Sequence, residues 1–122
     1  MSDLPSLTID TIWKILNDVL DDDTVNRLVW NCLGYRYDSA MWTSENVDSD
    51  WRSAYPQPPD FIASRLAVVK LTRSIPTENK QLLKEKLGFA GYKLDELIPR
   101  KTRRATIANW LLSYRQLNGI DD

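Results

Sequence analysis

The tightest constraint on the fold is a pair of apolar stripes at helical spacing, separated by three acids. Ile9, Ile12, Trp13, Leu16 and Leu20 recur on one face, then Asp21, Asp22 and Asp23 interrupt, and Val25, Leu28, Val29, Cys32 and Leu33 follow. The second set falls at i, i+3, i+4, i+7 and i+8, the spacing of one buried helix face. Thr8 or Ser6 can cap the first helix, with Asp10 in its first turn. The acidic triplet ends that helix and caps the next, which begins near Thr24 and closes on Gly34 as a left-handed terminator. So short a connection predicts an antiparallel helical hairpin. Trp30 lies opposite the second stripe, so it is either covered by later chain or part of an exposed patch. Coverage is the reading taken, because exposed Trp is unusual.

The segment from 35 to 60, "YRYDSAMWTSENVDSDWRSAYPQPPD", has no sustained period, and it holds five of the twelve aromatic residues. "SENVDSDWRSAY" predicts a short helix capped by Ser44, and "YPQPPD" an extended run, because residues before proline avoid the α region. Irregular segments this long are either functional or pinned by their own side chains. Aromatic clusters are mostly core, so Tyr35, Tyr37, Trp42, Trp51 and Tyr55 are read first as pins. The functional alternative is an aromatic surface or pocket made by Trp42, Trp51 and Tyr55.

"PDFIASRLAVVKLTRSIP" reads two ways. As a helix it carries two apolar faces, one from Ile62, Leu66 and Val69, the other from Phe61, Val68, Leu71 and Ile75, and so predicts a central element covered on both sides. As a strand it alternates near 67–72. Its length and Pro-Asp opening place the helix first. Pro76 and Thr77 then open a compact helix with Leu82, Leu83 and Leu87 inward and Gly88 closing it. A last helix is predicted from about Thr102 to Leu117. The expected fold is therefore all-α, one domain over 1–122 of about five helices, with a long aromatic-rich irregular segment and frayed ends at 1–7 and 118–122. The alternative is α+β with a short strand near 67–72.

Several chemistries are excluded by residue inventory. The chain has one Cys and no His, so an intrachain disulfide, a zinc-finger spacing and a His-based triad are all ruled out. Cys32 sits on the apolar stripe and reads as a small buried hydrophobe. Any enzyme would rely on carboxylates, Tyr, Lys or a cofactor, and neither Asp21–Asp23 nor Asp48 with Asp50 has the spacing of a calcium loop or a proposed catalytic pair. No apolar run approaches the roughly 18–20 residues that span a bilayer. The opening "MSDLPSLTID" lacks the basic and apolar regions of a secretory signal, so a cytoplasmic location is expected.

Charge is asymmetric. Residues 1–60 carry eleven acids and four cations, while 61–122 carry twelve cations and six acids. Either the acidic half folds against the basic half, or a basic face is held out for an anionic partner; the first is the ordinary outcome. The densest cationic stretch is "PRKTRRAT", with Arg100, Lys101, Arg103 and Arg104 at the start of the last helix. Cations there oppose the helix dipole unless an anion joins them. Arg104 falls in line with Ile107, Ala108 and Leu111 and so predicts an internal bidentate carboxylate contact. Arg100, Lys101 and Arg103 are left as candidates for an external anion. "RSIPTENKQLLKEKLGFAGYK" faintly resembles a helix-turn-helix, but Glu78 and Glu85 interleave with its lysines and the sequence pI is about 5.4.

The strings "NRLVWNCLGYRYD", "AYPQPPDFI", "KLTRSIPTENKQLLKEKLGF" and "PRKTRRATIANWLLSY" resemble a small family of cyanobacterial and plastid-lineage proteins catalogued as a domain of unknown function, over about residues 8–117. The resemblance implies a cyanobacterial source and carries over no catalytic or binding residue. The expectation is a non-enzymatic protein-interaction or regulatory module in a cyanobacterial cytoplasm, without cofactor, metal site or membrane contact. It would engage another protein through the aromatic segment and the basic C-terminal half. The second reading is a nucleic-acid or phosphorylated-ligand binder using Arg100, Lys101 and Arg103. A third is a carboxylate- or cofactor-dependent enzyme with a pocket lined by Trp42, Trp51 and Tyr55.

Overall fold

In the computed structural model, which describes residues 4–120, the Thr8 hydroxyl accepts the amide of Thr11 at 3.2 Å and starts α1 (Ile9–Leu16). The helix ends earlier than its stripe suggests. Asn17 caps it and Asp18 takes a left-handed φ of 59°, a conformation that Asn and Asp tolerate better than most side chains. Asp21 then accepts the Thr24 amide at 2.8 Å and caps α2 (Asp22–Leu33). Gly34 follows in the left-handed region at φ 108°, as expected. A Cβ there would stand 2.4 Å from the Asn46 carbonyl oxygen, so both backbone angle and space require glycine.

The irregular segment contains the strands. β1 (Arg36–Asp38) pairs antiparallel with β2 (Met41–Thr43), with Tyr37 opposite Trp42. Ser39 and Ala40 form the two-residue turn, both at positive φ, which is the twist a tight hairpin needs. α3 (Ser49–Ala54) is capped by Asp48 rather than Ser44. The stretch around 67–72 is helical, as its first reading has it, within α4 (Arg65–Arg73), capped by Ser64, and the alternative strand does not form there. The fold is thus mostly helical with one small two-stranded sheet, which makes α+β the accurate class. Six α-helices lie among the described residues rather than about five.

The run after Pro76 is not one helix. A 3-10 turn at Thr77–Asn79 breaks before α5 (Leu82–Leu87). The break follows from Asn79, which is buried and donates to Ser113 Oγ at 3.1 Å while accepting from Gln116 at 2.9 Å. The last helix, α6 (Pro99–Leu117), begins three residues before the expected Thr102, with Pro99 in its first turn, a position that needs no amide hydrogen.

The core gathers around α6, which contacts α1, α2, α4 and α5. Ile107, Ala108, Leu111 and Leu112 of α6 meet Ile12 and Ile15 of α1, Val25 and Val29 of α2, and Leu71 of α4 in one buried cluster. α4 departs from the double coverage predicted for it. Ala67, Val68 and Leu71 are buried, but Leu66 is 74% exposed and Val69 only half-buried. Residues 4–7 and 118–120 are held rather than frayed. The Leu7 carbonyl accepts from Arg115 at 2.7 Å, and the Ile120 amide donates to the Arg115 carbonyl at 2.9 Å. The rest of the expected fraying, at 1–3 and 121–122, lies outside the described residues. No helix of the described residues is long and apolar enough to cross a membrane.

Candidate functional site

Because α6 starts at Pro99, all four cations of the basic stretch sit in its first two turns, and the helix directs them to different places. Arg100 makes the bidentate carboxylate contact expected of Arg104: Nη1 and Nη2 donate to the two oxygens of Asp18 at 2.8 and 2.7 Å, and Nε donates to Asp22 at 3.0 Å. The left-handed turn at Asp18 is what presents that carboxylate. Arg100's hydrogen bonds, helped by its charge and that of Arg104, hold the Asp18 carboxyl below the usual Asp range despite partial desolvation. Hydrogen bonds from Arg100 to Asp18 and Asp22 correspondingly push the guanidinium further up.

Arg104 points inward as predicted and is 1% exposed. It reaches one carboxylate oxygen, Asp22 Oδ1, at 2.8 Å, and donates further to the carbonyls of Ile15 and Leu20 at 3.1 and 2.6 Å. Those carbonyls belong to the last turn of α1 and the turn after it, where the Ile15 carbonyl also accepts from the Asp18 amide at 3.3 Å. Lys101 lies 3.6 Å from Glu96 and over the Tyr92 ring at 5.6 Å. Among the described residues Arg103 meets no acid. Its Nη1 donates to the Ile62 carbonyl at 2.8 Å and more loosely to Ala63 at 3.3 Å. The structure therefore does not gather Arg100, Lys101 and Arg103 around one vacant anion site. Two are held by this chain's own carboxylates, and the third is held by backbone oxygens.

The aromatic residues do not converge on a pocket either. Trp51 is 7% exposed and packs edge-on against Phe61 at 5.9 Å, so it belongs to the core rather than to an aromatic surface. The reason is local: α3 is a short helix with one inward face, and Trp51 is its buried residue. Tyr55 is half-buried beside Trp51, and its carbonyl accepts the buried Tyr35 hydroxyl at 2.6 Å. Trp42 sits between Trp30 and Tyr37, with ring centroids at 5.1 and 5.3 Å. Trp30 is covered by this segment and donates its indole N–H to the Pro59 carbonyl at 2.6 Å. The aromatic residues mainly fasten residues 35–60 to α2.

What remains open is a groove between α4 and the start of α6. It is an open depression of about 440 Å³ lined by Val68, Val69, Leu97, Ile98 and Pro99, with Arg65 and Arg103 also on its lining. Leu97 and Ile98 are 49% and 46% exposed. No residue lining the groove is acidic. Among the described residues the Arg65 side chain makes no hydrogen bond or ion pair, and the Arg103 side chain uses only Nη1. Sequence reasoning missed Arg65, Leu97 and Ile98. The one available signal was the Leu66–Val69 face of α4, read as covered from within the chain. Two other clefts, beside Lys80 and Lys84 and beside Cys32, enclose about 390 and 340 Å³. Burial pushes the Cys32 thiol up to about 12, far from a reactive thiolate.

Comparison with known proteins adds a family but no chemistry. A family model described as "Domain of unknown function (DUF1823)" matches residues 6–116. A structure solved by solution NMR is similar at 55% identity and TM-score 0.82, over 98% of this chain and 99% of the other. No curated protein matches the chain.

Proposed function

The chain belongs to the DUF1823 family, a domain of unknown function, and on that premise we propose that it is a non-enzymatic protein-interaction module whose contact surface is the α4–α6 groove. The observation that carries this reading is the uncovered second face of α4. Leu66 is exposed, and the half-buried Val69 lines the groove together with the exposed pair Leu97 and Ile98, while the cations and aromatics that first suggested a site are engaged within the chain. Exposed apolar patches rimmed by polar residues mark interaction sites. A cyanobacterial cytoplasm is the setting we propose, on the family resemblance of the sequence strings alone.

The nucleic-acid reading is less well supported by the geometry. Arg100 and Lys101 face Asp18, Asp22 and Glu96, so a phosphate would compete with carboxylates already in place. A carboxylate enzyme is less well supported still, since Asp18 and Asp22 each accept from a guanidinium. The test is affinity capture from a native lysate, with and without nuclease treatment, using the parent chain and Leu97→Asp. A discrete protein retained by the parent and lost with Leu97→Asp supports the module. Retention unaffected by Leu97→Asp, or retention that disappears with nuclease, overturns it.

A further inference from the structure

The groove's chemistry narrows what kind of partner it takes, and this step rests on the interaction-module reading above. Its floor is apolar, from Val68, Val69, Leu97 and Ile98, and the two threonines on its α6 side add no free donor. Thr102 Oγ1 donates to the Pro99 carbonyl at 3.1 Å, and Thr106 Oγ1 to the Thr102 carbonyl at 3.2 Å. Both hydroxyl protons are thus turned to the helix's own backbone. A polar small molecule would find few donors on this apolar part of the lining, whereas apolar side chains would find Val69, Leu97 and Ile98.

Charge selects among apolar occupants. Arg65 is unpaired among the described residues, Arg103 retains Nε and Nη2, and the lining holds no carboxylate to neutralise either. Fork-shaped guanidinium donors at the rim of an apolar groove match carboxylates flanking an apolar stripe. A basic partner would be repelled, and a neutral one would leave both guanidiniums uncompensated. Nucleic acid would meet two cations beside an apolar floor that offers no stacking aromatic among its lining residues.

We propose that the α4–α6 groove binds an acidic amphipathic segment of a partner protein, its apolar side chains on Val69, Leu97 and Ile98 and its carboxylates on Arg65 and Arg103.

Two synthetic helical peptides with the same leucine spacing, one flanked by Glu and one by Lys, test this by amide chemical-shift titration of the labelled chain. The Glu peptide should shift Val69, Leu97, Ile98 and Arg103 and bind about tenfold tighter than the Lys peptide, a gap that closes as salt rises from about 0.05 to about 0.5 M. Arg65→Glu should reverse the preference, and Leu97→Ser should weaken both peptides; the amide spectrum of each variant reports that it is folded. Equal binding of the two peptides, shifts elsewhere, or no groove shifts at millimolar peptide would overturn the proposal. So would groove shifts produced by a single-stranded oligonucleotide, or by the chain's own concentration, without the Glu peptide. The two readings fail separately: a lysate protein lost with Leu97→Asp but indifferent to Arg65→Glu and to salt removes the acidic chemistry and leaves the module. Capture that ignores Leu97 removes both.

Discussion

Arg104 Nη1 donates to Asp22 Oδ1 at 2.8 Å, across 82 positions of sequence, from a guanidinium that is 1% exposed. The contact fastens α6 to the first turn of α2, and the carbonyls of Ile15 and Leu20 complete the guanidinium's bonding. Asp22 keeps Arg100 if Arg104 is removed, but the carbonyls of Ile15 and Leu20 and one Asp22 oxygen lose their guanidinium donor at once, each at about 1–3 kcal/mol where it is left unmet. Arg104→Met should therefore lower unfolding free energy by at least about 3 kcal/mol in urea titrations. Arg100→Ala removes a guanidinium that binds the same acids but whose side chain is 37% exposed, and should cost only about 0.5–1 kcal/mol. Equal losses for the two variants would mean that burial is not what distinguishes them.

Gly34 and Gly88 end α2 and α5 in the same left-handed region, at φ 108° and 68°. They differ in space, since a Cβ at Gly34 meets the Asn46 carbonyl at 2.4 Å and one at Gly88 meets nothing within 4 Å. Gly88→Ala should cost about 1 kcal/mol, the left-handed penalty alone. Gly34→Ala should cost more than about 2 kcal/mol, because the Asn46 backbone must also move. Thermal melts of both variants rank them, and the reverse order would contradict the packing at Asn46.

Asp18 and Asp60 both titrate below the ordinary Asp range in the folded chain. At Asp18 the Arg100 hydrogen bonds dominate. At Asp60 desolvation opposes the shift but is outweighed by bonds from the Ala63 and Ile62 amides and Asn26. A lowered folded value means that the unfolded chain takes up the proton first. The stability these groups contribute is thus complete above the unfolded value near about 3.9, declines as pH falls below it, and is gone once pH passes the lowered folded values. Asp18→Asn should flatten the acid limb of stability against pH and leave the neutral region nearly level. An unchanged acid limb would remove Asp18 from this account.

Cys32 lies against a cleft lined by Leu4, Leu7 and Tyr114, with its thiol pushed up by burial to about 12. At pH 8 almost none of it is thiolate. A disulfide reagent should label the native chain far more slowly than the unfolded chain. Comparable rates would show that the N-terminal residues do not stay on this cleft.

The end of α2 at Gly34 was legible, and its start to within two residues (Asp22 rather than near Thr24), because their causes are local: a cap that reaches three residues on and a glycine at the stop. The hairpin at 36–43 was not, since Ser39 and Ala40 adopt positive φ without the Asn or Gly that signals such a turn. The break at Asn79 was hidden for another reason, as its partners Ser113, Asn109 and Gln116 lie on α6. At the candidate site, the inward direction of Arg104 could be read from its register with Ile107 and Leu111, but the identity of its partners could not.

The sequence by itself determined two amphipathic helices, α1 and α2, joined by a short acidic connection, and an excess of acids in one half matched by cations in the other. Tertiary structure decided how that charge is spent. Asp18 and Asp22 meet Arg100 and Arg104, and Asp50 meets Lys70 at 2.9 Å, while among the described residues Arg65 is left unmatched and Leu66 of α4 is exposed. Periodicity and capping act within a turn or two of chain, so they are written in neighbouring residues. Which cation reaches which carboxylate, and which apolar face finds no cover, depends on how distant helices pack, and no local pattern encodes that.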